Sequence, residues 1–234
     1  DGEVFLRQCR QAVLDVQGAR EAVQGTRREP QGELAVTMPF ILASFVVPRI
    51  ARLVEQYPRL TFRIHLSDRV ARLADEEIDV AIRMGELEPS SLVARLLRNT
   101  RWVTVASPGY LARKPAPARP ADLAEHNCMR FLAPNGKPRD WSFAEGERTI
   151  TVPIAGNLVI DNGTSLLDAA EAGLGMCQVL DFMVEPALRN GVLTEVLAGH
   201  AAQGPKIHAV ATPSRSRSAG VRAFMRFLAD AFRV

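Results

Sequence analysis

The residue types best suited to chemistry are few and are not arranged for it. Four histidines occur, His65, His126, His200 and His208. None stands in a His-Glu-x-x-His run or another paired-ligand spacing, so no metal site is predicted. The three cysteines, Cys9, Cys128 and Cys177, are odd in number and far apart, which fits a reducing compartment rather than a disulfide framework. Cys128 and Cys177 fall in β-prone segments, where a thiol serves as a small core group unless its pKa is lowered. There is no Gly-x-Ser-x-Gly elbow and no Walker loop. Gly173-Leu-Gly175 lacks a third glycine and follows a helical run, unlike a dinucleotide fingerprint. With no nucleophile–base pair, acid–base pair or metal set, the chain is predicted not to be an enzyme: no catalytic residue, no metal, no cofactor.

What the sequence does offer is a repeated way of entering a helix. Glu33 to Thr37 is a short β-prone run. Pro39 follows, suited to the first turn of a helix because its missing N–H would be unpaired there anyway. Apolar residues then recur at helical spacing (Ile41, Phe45, Ile50, Leu53, Val54), opposite polar Arg49, Arg52, Glu55 and Gln56. Tyr57-Pro58 ends the pattern, and Thr61 to Ser67 alternates with Phe62, Ile64 and Leu66 on one face. Strand, helix and strand at this length form a βαβ unit with parallel strands and a right-handed crossover. Strand Leu158-Val-Ile160 runs in the same way through Asp161-Asn162-Gly163-Thr164, an N-cap region, into a helix from Leu166 to Ala172.

Ligands of such sheets sit beyond the carboxyl ends of the strands. That rule assigns Met38, Pro39, Phe40, Ser67, Asp68, Arg83 and Met84 to one side of a binding site, at the ends of strands 33–37, 61–67 and 78–83. Phe131, Asn162, Gly163, Thr164, Val179 and Phe182 are assigned to the other, at the ends of strands 128–132, 158–160 and 176–180. Helix N-termini at these edges offer N–H groups suited to an anion. Arg83 is either a cation for the ligand or the structural partner of Asp68.

The remaining elements complete two α/β blocks. In the first, a short helix from Val70 to Glu76 precedes strand Ile78 to Arg83, followed by strands at 92–97 and 102–106, the last expected to be central. Pro108 to Leu111 begins a helix, and the proline-rich stretch 114–120 is an exposed loop. Short strands at 128–132, 141–143 and 149–154, a strand at 176–180, helical Ala187 to Asn190 and a strand at 191–197 form the second block. Strand 206–212 and an amphipathic helix from Val221 to Phe232, with Phe224, Phe227, Leu228 and Phe232 inward, return to the first. Ser214 to Ser218 is a solvated loop whose serines cap that helix. At 234 residues and a net charge of +3, with the basic residues dispersed, the chain shows no nucleic-acid footprint of its own. No run of roughly eighteen apolar residues suggests a membrane span. The chain opens at Asp1 without Met or a signal-like segment.

Residues 1–26 carry Phe5, Cys9, Ala12, Val16, Ala19 and Val23 at alternating spacings of four and three. This narrow heptad seam is the pattern of a helix that pairs with another. Gly18 weakens it, and Gly25 with Pro30 ends it.

Several segments together resemble the effector-binding part of LysR-type transcriptional regulators. Residues 1–26 resemble the family's linker helix, and Arg28-Glu-Pro-Gln-Gly-Glu-Leu-Ala-Val36 its junction into the first strand. Ala74-Asp-Glu-Glu-Ile-Asp-Val-Ala-Ile-Arg83 is similar to its acidic run and following strand. Val105-Ala-Ser-Pro-Gly-Tyr-Leu111 resembles its crossover, and Ala172-Gly-Leu-Gly-Met176 its Gly-Leu-Gly-Ile run. The resemblance implies an α/β fold of periplasmic-binding-protein-like type 2, with two Rossmann-like subdomains joined by crossing strands and a small-molecule effector in the cleft. Residues 1–30 would be the dimerisation helix, 31–105 with 206–234 subdomain I, and 106–205 subdomain II. It further implies a cytoplasmic homo-oligomer, dimer or tetramer, that reaches DNA through a helix-turn-helix domain absent from this chain. Pro39 stands where many members carry a Ser or Thr that holds an effector carboxylate, and Leu180 where Pro is frequent. With Met38, Phe40 and Ile41 beside it, Pro39 points to a more apolar effector. A periplasmic-type solute-binding protein is the competing reading. It shares the fold but needs no heptad helix, and the sequence upstream of Asp1 discriminates the two.

If the seam pairs chains, deleting residues 1–26 lowers the oligomeric order or its affinity in sedimentation velocity. Identical species for the deleted and intact chains at every concentration would show that these residues do not pair.

Overall fold

The computed structural model of the chain describes Gly2, Phe5, Cys9, Val16, residues 29–68 and residues 78–233. The helix expected over 70–76 lies outside the described residues, as does that over 1–26 apart from those four positions. Phe5, Cys9 and Val16 are helical and exposed. The chain divides into two compact units, the first ending at Arg98 and resuming at Lys206, the second spanning Asn99–Pro205.

The first unit is built on a five-stranded sheet. Its strands are β1 (Gly32–Met38), β2 (Leu60–Leu66), β3 (Val80–Met84), β4 (Val93–Arg98) and β12 (Ile207–Ala211), in the spatial order β2-β1-β3-β12-β4. β1 is parallel to both β2 and β3, while β12 runs antiparallel to β3 and β4. The expected βαβ unit is therefore present, with α1 (Phe40–Gln56) as its crossover. β1 lies between two strands and is buried from Leu34 to Met38. Edge strand β2 alternates between exposed and half-buried residues. α1 runs unbroken through Pro48 and buries Leu42, Phe45, Val46, Ile50 and Leu53. Leu42 and Val46 thus replace the expected Ile41 and Val54, because Leu42, Val46 and Ile50 form one row of i, i+4 neighbours. α5 (Ala219–Ala231) packs beside it, with tilted ring contacts of Phe232 with Phe45 at 4.6 Å and of Phe224 with Phe62 at 5.5 Å between centroids. Phe227 is only half-buried, lying against Phe224. Ser218 accepts the Val221 N–H and caps α5, as the loop composition suggested.

In the second unit β5 (Trp102–Ala106), β6 (Cys128–Phe131), β9 (Val159–Ile160), β10 (Met176–Leu180) and β11 (Thr194–Val196) form a sheet in the order β11-β5-β10-β6-β9. Strand Trp102–Ala106, assigned from sequence to the first block, pairs with β10 and β11 here. It is interior, and β10 is the middle strand. β6 is parallel to β9 and β10. α3 (Gly163–Glu171) and α4 (Asp181–Arg189) follow β9 and β10, and α2 (Pro108–Arg113) follows β5. One cluster gathers Val103, Met129, Leu166, Val179 and Val184, from three strands and both of these longer helices. The hairpin of β7 (Trp141–Glu145) and β8 (Arg148–Val152) sets Trp141 and Phe143 against Cys128, Met176 and Tyr110. α4 begins six residues before the expected Ala187, because Phe182-Met-Val184 looks β-prone and Pro186 looks like a breaker. Asp181 in its first turn suits the helix N-terminus. The expected strand 191–197 shrinks to Thr194–Val196, as Gly191 takes φ 69° after α4.

The Gly173-Leu-Gly175 run has a folding role. Gly173, at φ 80°, stops α3 in a conformation side chains resist. A Cβ on Gly175 would lie 2.3 Å from the Asn127 carbonyl oxygen, where β10 enters the sheet beside β6.

Asp79 fastens β3 to β1. Its N–H donates to the Ala35 carbonyl at 2.8 Å, its carboxylate accepts the Ala35 N–H at 2.8 Å, and Arg215 Nη1 reaches it at 2.8 Å. The side chain is only 8% exposed. Burial raises its carboxyl pKa above the ordinary range, and the Ala35 N–H and Arg215 offset this only in part. The folded protein then holds the proton more tightly than the unfolded chain. The group's contribution to stability falls as pH rises from the ordinary carboxylate value to the raised one, and is flat above it. Asp79→Asn removes that slope in denaturant unfolding across acid pH. Asp79→Ala also leaves the Ala35 N–H unpaired and costs about 3 kcal/mol at neutral pH. An alanine variant no less stable than the asparagine variant would show that the Ala35 clasp contributes nothing.

Candidate functional site

In the first unit, the carboxyl edge of β1 and β2 brings Met38, Pro39, Phe40, Ser67 and Asp68 together. The Ser67 N–H donates to the Met38 carbonyl at 3.0 Å, and Asp68 Oδ1 accepts the Phe40 N–H at 3.3 Å. That second bond changes the chemistry expected of this edge. The helix N-terminus, read from sequence as open to an anion, already carries a carboxylate from its own chain, and an incoming anion meets like charge. Met38 is fully buried, whereas Phe40 is 56% exposed. Arg83 and Met84 are half-buried at the end of β3, with Arg83 opposite His208 of β12.

Sequence reasoning missed two polar groups in this sheet. Thr37 Oγ1 and His208 Nδ1 are buried without a hydrogen-bond partner among the described residues. Thr37 stands beside Ala81, and Val210 and His208 pair with Ala81 and Arg83. Strand alternation therefore puts Thr37, Arg83 and His208 on one face. From sequence, Thr37 was only a β-branched strand residue, and nothing aligned it with His208 so far along the chain.

In the second unit Phe131 closes β6, half-buried against the cluster under α3 and α4. Asn162 caps α3 by accepting the Ser165 N–H at 2.9 Å. Gly163 and the exposed Thr164 form its first turn. Val179 and Phe182 are 3% and 2% exposed, so they support this edge from within the core.

Beside that edge lies a polar network absent from the sequence reading. Gln178 Oε1 accepts from Arg139 Nη2 at 3.1 Å and from the Ser142 N–H at 3.0 Å. Its Nε2 donates to the Ser142 carbonyl at 2.9 Å and to Thr104 Oγ1 at 3.4 Å. Arg139 stacks on Trp102, its guanidinium carbon 3.5 Å from the ring centroid. Burial pulls its pKa down to about 10, with Asp140 offsetting part of the effect, which leaves it charged at neutral pH. Arg139 was overlooked because it stands between the expected strands 128–132 and 141–143, and arginines in connections are usually solvated.

Two buried thiols and a buried histidine lie outside this network. Burial pushes the Cys128 thiol up to about 12 and raises that of Cys177 as well, so neither is a thiolate at neutral pH. His126 is lowered by burial and faces the Tyr110 hydroxyl through Nδ1 at 3.2 Å, while that hydroxyl accepts the Asn127 N–H. Among the described residues no group of three or more His, Cys, Asp or Glu side chains is placed to hold a metal ion. No described helix is long and apolar enough to cross a membrane.

Comparison with known proteins accounts for this arrangement. Residues 27–233 match the family described as the LysR substrate binding domain. A helix-turn-helix-type transcriptional regulator of Xanthomonas campestris is 29% identical over 231 residues, 97% of this chain and 67% of that protein. The structure of CrgA, a LysR-type transcriptional regulator from Neisseria meningitidis, superposes with a TM-score of 0.80 at 25% identity, covering 100% of this chain and 79% of that one. The CrgA regulatory domain alone gives a TM-score of 0.77 at 28% identity, covering 87% of this chain and all of that one. These relatives are regulators of transcription and not enzymes, and the two-sheet α/β architecture is theirs. The chain belongs to the LysR substrate-binding domain family, the effector-binding domains of LysR-type transcriptional regulators.

Proposed function

We propose that this domain senses a small molecule for a homo-oligomeric, cytoplasmic regulator that grips DNA through a helix-turn-helix domain outside this chain. Residues 1–26 serve as the pairing helix. Effector contacts fall at the carboxyl edges of the two sheets. In the first unit these are Met38, Pro39, Phe40, Ser67, Asp68, Arg83 and Met84. In the second they are Phe131, Asn162, Gly163, Thr164, Val179 and Phe182, with the buried members shaping the site rather than touching ligand. The observation that carries this reading is the family match over 27–233 joined to the convergence of Met38 to Phe40 with Ser67 and Asp68 at one sheet edge. In parallel sheets such edges are where ligands bind. The relatives of this chain are regulators of transcription, which supports a ligand that is held and not transformed. Its effect on DNA follows from differential affinity for two arrangements of the full regulator.

A small molecule bound only to the native chain raises its melting temperature. Screening metabolites by thermal shift identifies such a compound. Thr164→Val and Arg83→Ala then fold as before and lose its stabilisation. Thr164 is an exposed first-turn residue, so its substitution alone changes stability by less than about 0.5 kcal/mol. Undiminished stabilisation of both variants would remove these residues from the site.

A further inference from the structure

Two arginines flank Gln178 without a carboxylate between them. Cys128 of β6 and Met176 of β10 are register partners in parallel strands. Continuing that register by one residue past the Cys177–Met129 pair brings Arg130 level with Gln178, on the face of Cys128 and Met176, since strand side chains repeat every second residue. Arg139 approaches Gln178 from the loop before β7, donating to its side-chain and backbone oxygens at 3.1 and 3.3 Å. The amide of Gln178 is saturated: two donors reach its oxygen, and its nitrogen serves the Ser142 carbonyl and the Thr104 hydroxyl. It has nothing left for Arg130. Arg130 Nε is buried with no hydrogen-bond partner among the described residues.

Neither guanidinium has an ion pair with a described carboxylate. The contacts of Arg139 are the Gln178 oxygens, the Asp140 carbonyl at 3.2 Å and the Trp102 ring. Both residues are half-buried, and among the described residues the only nearby charge acting on Arg139 is that of the exposed Asp140. A buried guanidinium N–H without an acceptor is uncompensated for its lost hydration, and an anion from outside the chain would supply the acceptor that Arg130 Nε lacks. A guanidinium matches a carboxylate best, through parallel N–H bonds in its own plane. Stacking on Trp102 covers a face of Arg139 and leaves its edge to recognise the anion, and the indole adds apolar surface for the body of an organic acid.

We propose that Arg130 and Arg139, set around Gln178 and backed by Trp102, form a carboxylate-binding site for a small organic acid in the second unit. This deepens the effector-sensing reading and rests on it. The first unit offers no comparable donor at Pro39, which has no N–H, and the N–H of Phe40 is already taken by Asp68.

The test uses the whole chain with benzoate, acetate and succinate as probes and benzamide as the uncharged control, followed by thermal shift and by Trp fluorescence. At least one carboxylate stabilises the intact chain at millimolar concentration and perturbs the fluorescence, while benzamide does neither. Arg139→Gln and Arg130→Gln each weaken that binding by at least about tenfold. Arg139→Lys, which keeps charge but not the planar fork, weakens it too. The ligand-free readout separates binding from structure: Arg130→Met melts no lower than the parent, since it removes a buried unpaired group. The inference is overturned if no carboxylate binds, if benzamide binds as well as benzoate, or if the glutamine variants bind undiminished. It is equally overturned if Arg130→Met lowers the melting temperature. A neutral metabolite that stabilises the intact chain and the arginine variants alike would sink this inference while leaving the effector-sensing reading in place.

Discussion

β1 pairs in parallel with a strand on either side, and most of the first unit follows from that constraint. Parallel neighbours cannot be joined by a hairpin; the chain must cross back over the sheet. The α1 crossover between β1 and β2 meets that need and buries Leu42, Phe45, Val46, Ile50 and Leu53 in doing so. It also sets the exits of β1 and β2 at one end of the sheet. Met38, Pro39 and Phe40 leave β1 where Ser67 and Asp68 leave β2. Asp79 completes the pairing by holding Ala35 through both its backbone and its carboxylate. The second unit repeats the logic with β6, β9 and β10.

The helix N-termini at these edges are less available than their geometry suggests. Asp68 sits on the first N–H of α1, and Asn162 caps α3. Each cap stabilises its helix and removes a donor that an anionic ligand would otherwise use. On the proposed reading, charge is recognised by side chains, and Arg130 and Arg139 of the second unit supply them.

The elements were legible where local pattern and final environment agree. The βαβ unit, α5 with its Ser218 cap, and the strands at 102–106 and 176–180 carry their periodicity on the surface of the sequence. Legibility failed where a tertiary partner overrides local preference. α4 starts at Asp181 through residues that favour strands, because its apolar face is taken up by the core around Val184. Edge residues could be named by the strand-end rule, but not all their roles: Met38, Val179 and Phe182 are core, and Asp68 accepts the first N–H of α1. The cap at Asn162 was legible in Asp161-Asn162-Gly163-Thr164. The orphaned polar atoms of Thr37, His208 and Arg130, and the packed place of Arg139 on Trp102, were missed because they are defined by what surrounds them, and spacing along a chain carries no such information.

The central claim, that residues at the carboxyl ends of the strands hold a small molecule, is tested most directly by NMR titration of the isotope-labelled chain with a compound found to stabilise it. Within the second unit, the backbone amides of Phe131 and Thr164 and the Nε–Hε signals of Arg130 and Arg139 should shift together and saturate at one dissociation constant. Shifts confined to surfaces away from the strand ends, with those four signals unmoved at saturation, would contradict the account.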